Sequence, residues 1–169
     1  SYQMIGMIVG GIFWGILGDK KGRLSVLFGS IIVYSIANIL NGLVNDTYWY
    51  SILRFISGFG LDGELGAGIT LVSESMKKED RGIGTTIVAS IGLFGAVVAG
   101  FTTILVNNWR ISYFIGGGMG LLLLFLRMGV FESKIFDQVK ENKTIKKGNF
   151  FYLFSHPKLV FKYLNIILI

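Results

Sequence analysis

Apolar runs of about twenty residues, repeated along 169 positions, constrain this chain more than anything else in its sequence. Stretches at about 2–18, 24–44, 48–73, 82–106 and 111–130, with a sixth beginning near 159, match the roughly 20 residues needed to cross about 30 Å of hydrocarbon. A soluble domain of this size buries a core, but it cannot hide runs of that length one after another. Charged residues are 15% of the chain, against about 25% in an average soluble domain, so lipid is the expected solvent for much of the surface. The expected fold class is an all-α membrane protein.

A net charge of +6 would suggest nucleic acid or an anionic surface if the basic residues were clustered on a soluble face. They mark topology instead. Every Lys and Arg except Arg54 and Arg110 lies in or beside the segments 19–23, 76–81 and 131–158, while 45–47 and 107–109 carry none. By the positive-inside rule the basic segments are cytoplasmic, which predicts a multi-pass plasma-membrane protein with no nucleic-acid partner. Tyr48, Trp49, Tyr50, Trp109 and Tyr113 fall at the opposite helix ends, where an interfacial aromatic belt is expected. The segment 131–158 reads as a cytoplasmic linker with amphipathic spacing at Ile135, Phe136 and Val139 and again at Phe150, Phe151 and Leu153, or else as a solvated tail. Both ends of the chain lie inside apolar runs, so a piece of a longer polypeptide is expected, with the remainder of the same chain as its partner.

There is no cysteine and a single histidine, His156, so neither a thiolate nor a histidine metal cluster is expected, and no cofactor. Gly58-Phe59-Gly60-Leu61-Asp62-Gly63 fits G-x-G-x-x-G literally, but a dinucleotide site needs that pattern at a strand-to-helix turn, and here it lies inside an apolar run. The enzyme reading has nothing else behind it. Small residues at Gly6/Gly10, Gly11/Gly15 and Gly116–Gly120 suit close helix packing in lipid.

The third run differs because its glycines surround Arg54, Asp62 and Glu64, each costing roughly 2.5–3.5 kcal/mol to insert. At 100° per residue Asp62 and Glu64 lie about 80° to either side of Arg54, which predicts one broad charged face toward a cavity or another helix. Arg54 and Glu64 are about 15 Å apart along the axis, so each needs a partner from elsewhere. These three are the candidate solute and proton pathway, with buried ion pairing as the alternative role; Glu64, a carboxylate among glycines, suits proton exchange.

Gly15-Ile16-Leu17-Gly18-Asp19-Lys20-Lys21-Gly22-Arg23 joins the first two runs. Its glycines allow a tight turn, Asp19 suits the positive start of the next helix, and Lys20, Lys21 and Arg23 anchor the inner face. The segment resembles the major facilitator superfamily motif G-x-L-[AG]-D-[RK]-x-G-R between helices two and three. Arg54 with Gly58 and Gly60 is similar to that family's R-x-x-x-G-x-G on helix four; Glu74 with Arg81-Gly82 resembles the following E…R-G pair, and Trp109-Arg110 the W-R of helix six. Glu132-Ser133-Lys134-Ile135-Phe136 is similar to E-S-P-x-F of sugar porters and metabolite:proton symporters, with Lys134 in place of proline. The Gly63-Glu64 pair leans toward the symporters, and the fourth run lacks the G-P element of drug:proton antiporters.

The resemblance covers nearly the whole chain. It implies part of a six-helix half of a twelve-helix fold, helices two to six plus the start of seven. It also implies alternating-access transport of a small solute, an organic acid, zwitterion or sugar, by proton symport in a membrane such as the bacterial inner membrane. By the same resemblance Asp19 and Arg23, with Gly15, Gly18, Lys20 and Gly22, would form a cytoplasmic gate. Arg54 would face a helix-one carboxylate or the solute, and Glu74, Arg81 and Glu132 would form a cytoplasmic salt-bridge network. A facilitative uniporter, or a membrane scaffold or sensor that transports nothing, are the alternatives.

Overall fold

The computed structural model describes residues 1–106 and 108–126, which form α1 (Tyr2–Lys21), α2 (Arg23–Leu43), α3 (Thr47–Ser75), α4 (Arg81–Val106) and α5 (Trp109–Leu126). Among the described residues every regular element is a helix, and each coincides with an expected span to within a few positions. The end of the fifth span, the expected linker at 131–158, the run from 159, Glu132 and His156 lie outside the described residues.

The expected turn at 19–23 shrinks to one residue. α1 stays helical through Asp19, Lys20 and Lys21, and only Gly22, at φ 102°, breaks it before α2 begins at Arg23. That backbone angle suits glycine and no side chain with a β-carbon, and Lys20 and Lys21 in the last turn favour the negative end of α1. At the other end Asp46 caps α3 by accepting a hydrogen bond from the Tyr48 N–H at 3.3 Å, and Asn108 does the same for α5 through Arg110 at 3.1 Å. With 29 residues, α3 reaches about 44 Å and is the longest element.

α3 packs along both α1 and α2, which also touch each other; α2 in turn receives α5. Backbones meet at these contacts. A β-carbon on Gly60 would stand 2.6 Å from the Tyr34 nitrogen, one on Gly10 2.8 Å from the Phe59 α-carbon, and one on Gly117 2.8 Å from the Ser35 carbonyl oxygen. In lipid no water is expelled when helices meet, so this close fit is itself a main source of attraction. Trp14 locks the α1–α3 seam: its indole N–H donates to the Phe59 carbonyl at 2.8 Å, and the buried cluster of Trp14, Val26, Leu27, Ala67 and Leu71 surrounds it.

α2, α4 and α5 are long and apolar enough to cross a membrane. Among the described residues α4 is the least covered helix, touching α5 and meeting α3 where Gly84 reaches Met76 and Val72, and it exposes Ile87, Ile91, Phe94, Val98 and Phe101 among others. Exposed apolar surface of that extent belongs in lipid or against further helix, and the chain is a multi-pass membrane protein.

Candidate functional site

Arg54 is half-buried on α3, and two aromatic rings hold its guanidinium. Its carbon lies 5.9 Å from the Tyr50 ring centre, one turn earlier on α3, and 5.5 Å from that of Tyr113 on α5. The two phenol oxygens are 2.7 Å apart, and the Trp109 ring meets both tyrosines edge-on at 6.2 and 6.0 Å. Cation–π contacts of this kind contribute about 0.5–1 kcal/mol at an exposed site and more as the guanidinium loses water. Among the described residues no carboxylate comes within ion-pair distance of Arg54.

The expected aromatic belt therefore divides. Tyr48 and Trp49 are exposed, as a belt requires, whereas Tyr50 turns inward because it shares a stripe with Arg54, four residues on. Next to this cluster a cavity of about 370 Å³ is lined by Asn45, Asp46, Tyr50, Trp109 and Arg110. Arg110 is fixed there by the Asn45 side-chain oxygen and by the Trp109 ring at 5.1 Å.

Glu64 is half-buried further along α3, and Tyr34 of α2 stands within electrostatic reach of both Glu64 and Arg54. Tyr34 also begins a polar stripe through Asn38 and Asn41, and Ser57 of α3 donates to the Asn38 side-chain oxygen at 3.4 Å. Ser35, Asn38, Asn41 and Ser57 are all buried. None of these residues is charged or part of a family motif, so the sequence reading passed over them; the spacing 34, 38, 41 inside an apolar run was the available signal.

Asp62 does not join this face. The single broad charged face expected of α3 is split, because Asp62 points across the seam to α1, where a β-carbon on Gly11 would collide with its carboxylate. Two residues of separation on a helix is 200°, so Asp62 and Glu64 diverge, and it is Asp62 that meets α1.

At the basic end Arg23 joins three helices. It pairs with Asp19 of α1 at 2.9 Å and with Glu74 near the end of α3 at 3.4 Å. Gly18 lies beneath it, where a β-carbon would stand 2.8 Å from the guanidinium. Asp19 thus works through an ion pair with Arg23 one turn on. Glu74, expected in a separate network with Arg81 and Glu132, is drawn into the same clamp, while the Arg81 Nε donates to the Met76 carbonyl at 3.4 Å. Lys20 is exposed, and Gly15 lines a cavity of about 130 Å³ between α1 and α3 that also reaches Arg23 and Asp62. Among the described residues no cluster of His, Cys, Asp or Glu is arranged to hold a metal.

Residues 1–169 match the family model described as Major Facilitator Superfamily. The chain is similar to the sialic acid transporter NanX of Escherichia coli, 31% identical over 156 residues, which cover 89% of this chain and 37% of the relative. It is similar also to a proline/betaine transporter of Escherichia coli, 30% identical over 173 residues, covering 91% of this chain and 34% of the relative. The fold matches the inward-open xylose transporter XylE of E. coli with a TM-score of 0.73 at 18% identity, over 96% of this chain and 44% of that one. The chain thus spans a little over a third of the length of these two relatives.

Proposed function

Because the chain belongs to the major facilitator superfamily, we propose that the full-length protein is a secondary active transporter of a small carboxylate-bearing solute, moved by proton symport and alternating access. Arg54 carries this reading. Its guanidinium is half-buried, braced by Tyr50 and Tyr113, and free of any ion pair among the described residues, which suits capture of a carboxylate through two parallel N–H bonds. Sialic acid and proline, which the names of the two relatives carry, are both carboxylates. Arg110 in the neighbouring cavity adds a second positive charge along the approach to Tyr50.

Glu64 is the residue we assign to the coupling proton, because it is a carboxylate half-buried on the same helix as Arg54 and Tyr34 lies within electrostatic reach of both. The basic end, with the Arg23 clamp, faces the cytoplasm of a plasma membrane, in line with the distribution of Lys and Arg. In this reading the clamp of Asp19, Arg23 and Glu74 forms when the cytoplasmic side is closed and breaks when it opens.

The test is uptake of radiolabelled sialic acid, proline and betaine by the full-length protein in proteoliposomes with an imposed pH gradient. Arg54→Lys keeps the charge but loses the planar fork, and should lower kcat/KM roughly 10- to 100-fold, the value of a charge-assisted hydrogen bond. Glu64→Gln should still exchange solute across the membrane but no longer accumulate it. Unaltered uptake by Arg54→Lys would remove the carboxylate reading, and accumulation that survives Glu64→Gln would leave a facilitator or a different coupling residue.

A further inference from the structure

Asp62 is the intramembrane charge that the proposed solute path leaves unused. It sits half-buried in the α1–α3 seam, and among the described residues no hydrogen bond or ion pair reaches its carboxylate. Two spaces meet at it. One is an apolar groove lined by Met4, Ile8 and Ile12. The other is the cavity of about 130 Å³ that runs down the seam to Arg23, with Trp14, Gly15 and Thr70 on its walls.

The groups facing this cavity are few. α1 brings Gly11, Trp14, Gly15 and Gly18, none of which titrates; α2 brings Arg23 and Val26; α3 brings Thr70 beside Asp62 itself. Asp19 and Glu74 act through Arg23, which they share. α4 meets α3 near Met76 and Val72, and its one charged residue, Arg81, donates to the Met76 carbonyl. The charge that Asp62 answers to across the cavity is therefore Arg23. Gly11, against Asp62, and Gly18, beneath Arg23, are seven residues apart on α1, about 10 Å, too far for a direct bond but close for two charges across a poorly screened space.

We infer that Asp62 is a second proton-binding site, separate from the solute path, whose ionisation competes with Asp19 and Glu74 for the Arg23 guanidinium. With a proton on Asp62, Arg23 stays with Asp19 and Glu74 and the three helix ends stay clamped. Without it, a third carboxylate pulls Arg23 inward along the seam and loosens the tie to Glu74. Proton occupancy in the middle of the seam is thereby read out at the basic end. The inference holds whichever solute is carried.

The experiment is labelling of the full-length protein in proteoliposomes by dicyclohexylcarbodiimide, an apolar reagent selective for protonated carboxyls, with Asp62 followed by peptide mass spectrometry. Asp62 should label at least tenfold faster at pH 5 than at pH 8. Asp19→Asn and Glu74→Gln each release Arg23 toward Asp62, which favours the ionised carboxylate, so at the midpoint pH of the unmodified protein both should slow labelling at least threefold. Asp19 is half-exposed, so its variant serves should Glu74→Gln fail to fold. No labelling of Asp62 at any pH would overturn the proton site, and labelling that both variants leave unchanged would overturn the link to Arg23. Neither outcome depends on solute uptake, so failure of the carboxylate reading and failure of this one are separable.

Discussion

Gly6, Gly10 and Gly58 along the α1–α3 seam, and Gly60 against α2, bring backbone against backbone, whereas on α4 a β-carbon added to Gly92, Gly95 or Gly100 would meet nothing within 4 Å among the described residues. Both regions are apolar and glycine-rich, and the letters alone do not separate them. What separates them is what the neighbouring helix presents. α1, α2 and α3 carry nearly all the charged residues of the described helices, and the contacts of α2 and α3 bury Ser35, Asn38, Asn41 and Ser57; the charged residue of α4 is Arg81, at its first position. The less apolar helices are accordingly the closely packed ones. Glycine is indispensable where a partner backbone leaves no space, and it is a cost in helix propensity where none approaches.

The sharpest way to break this contrast is Gly60→Ala. Its β-carbon would press on the Tyr34 backbone, which cannot swing aside as a side chain can. Thermal unfolding of the full-length protein in detergent should show a loss of about 1–3 kcal/mol, the usual cost of overpacking, and an unchanged transition would mean that the α2–α3 contact is looser than drawn. Trp14→Phe probes the α1–α3 seam more gently. The ring contact with Phe59 persists while the hydrogen bond to its carbonyl is lost, so a fall of about 0.5–1.5 kcal/mol is expected. Gly95→Ala on α4 is the smallest effect and has the opposite sign. With nothing to collide with, alanine should stabilise the helix by about 0.5–1 kcal/mol; a loss as large as that of Gly60→Ala would show that another part of the protein packs closely there.

Much of the fold was legible because a helix that crosses lipid announces itself by length and composition, and Gly22 marked the break between α1 and α2. The clamp was legible in part. Asp19 and Arg23 stood out together as a motif, but Glu74, 51 residues beyond Arg23, could be joined to it only by the antiparallel return of α3 along α2. Tyr50 and Tyr113 looked like belt residues since a tyrosine near a helix end serves lipid interface and binding site equally well. Asp62 and Glu64 looked like one face, because 80° either side of Arg54 is a half-circle until neighbouring helices divide it.

The sequence by itself determined that this is a helical membrane protein, roughly where its helices lie, and which of them carry charged residues. Those properties follow from solvation and local geometry, which each segment settles alone. Tertiary structure decided which aromatic rings hold Arg54, which of the two α3 carboxylates faces Tyr34 and which faces Gly11, and that Arg23 joins three helices at the basic end. Each of these depends on the rotation of one helix against another, and that rotation is set by where small residues let two backbones touch.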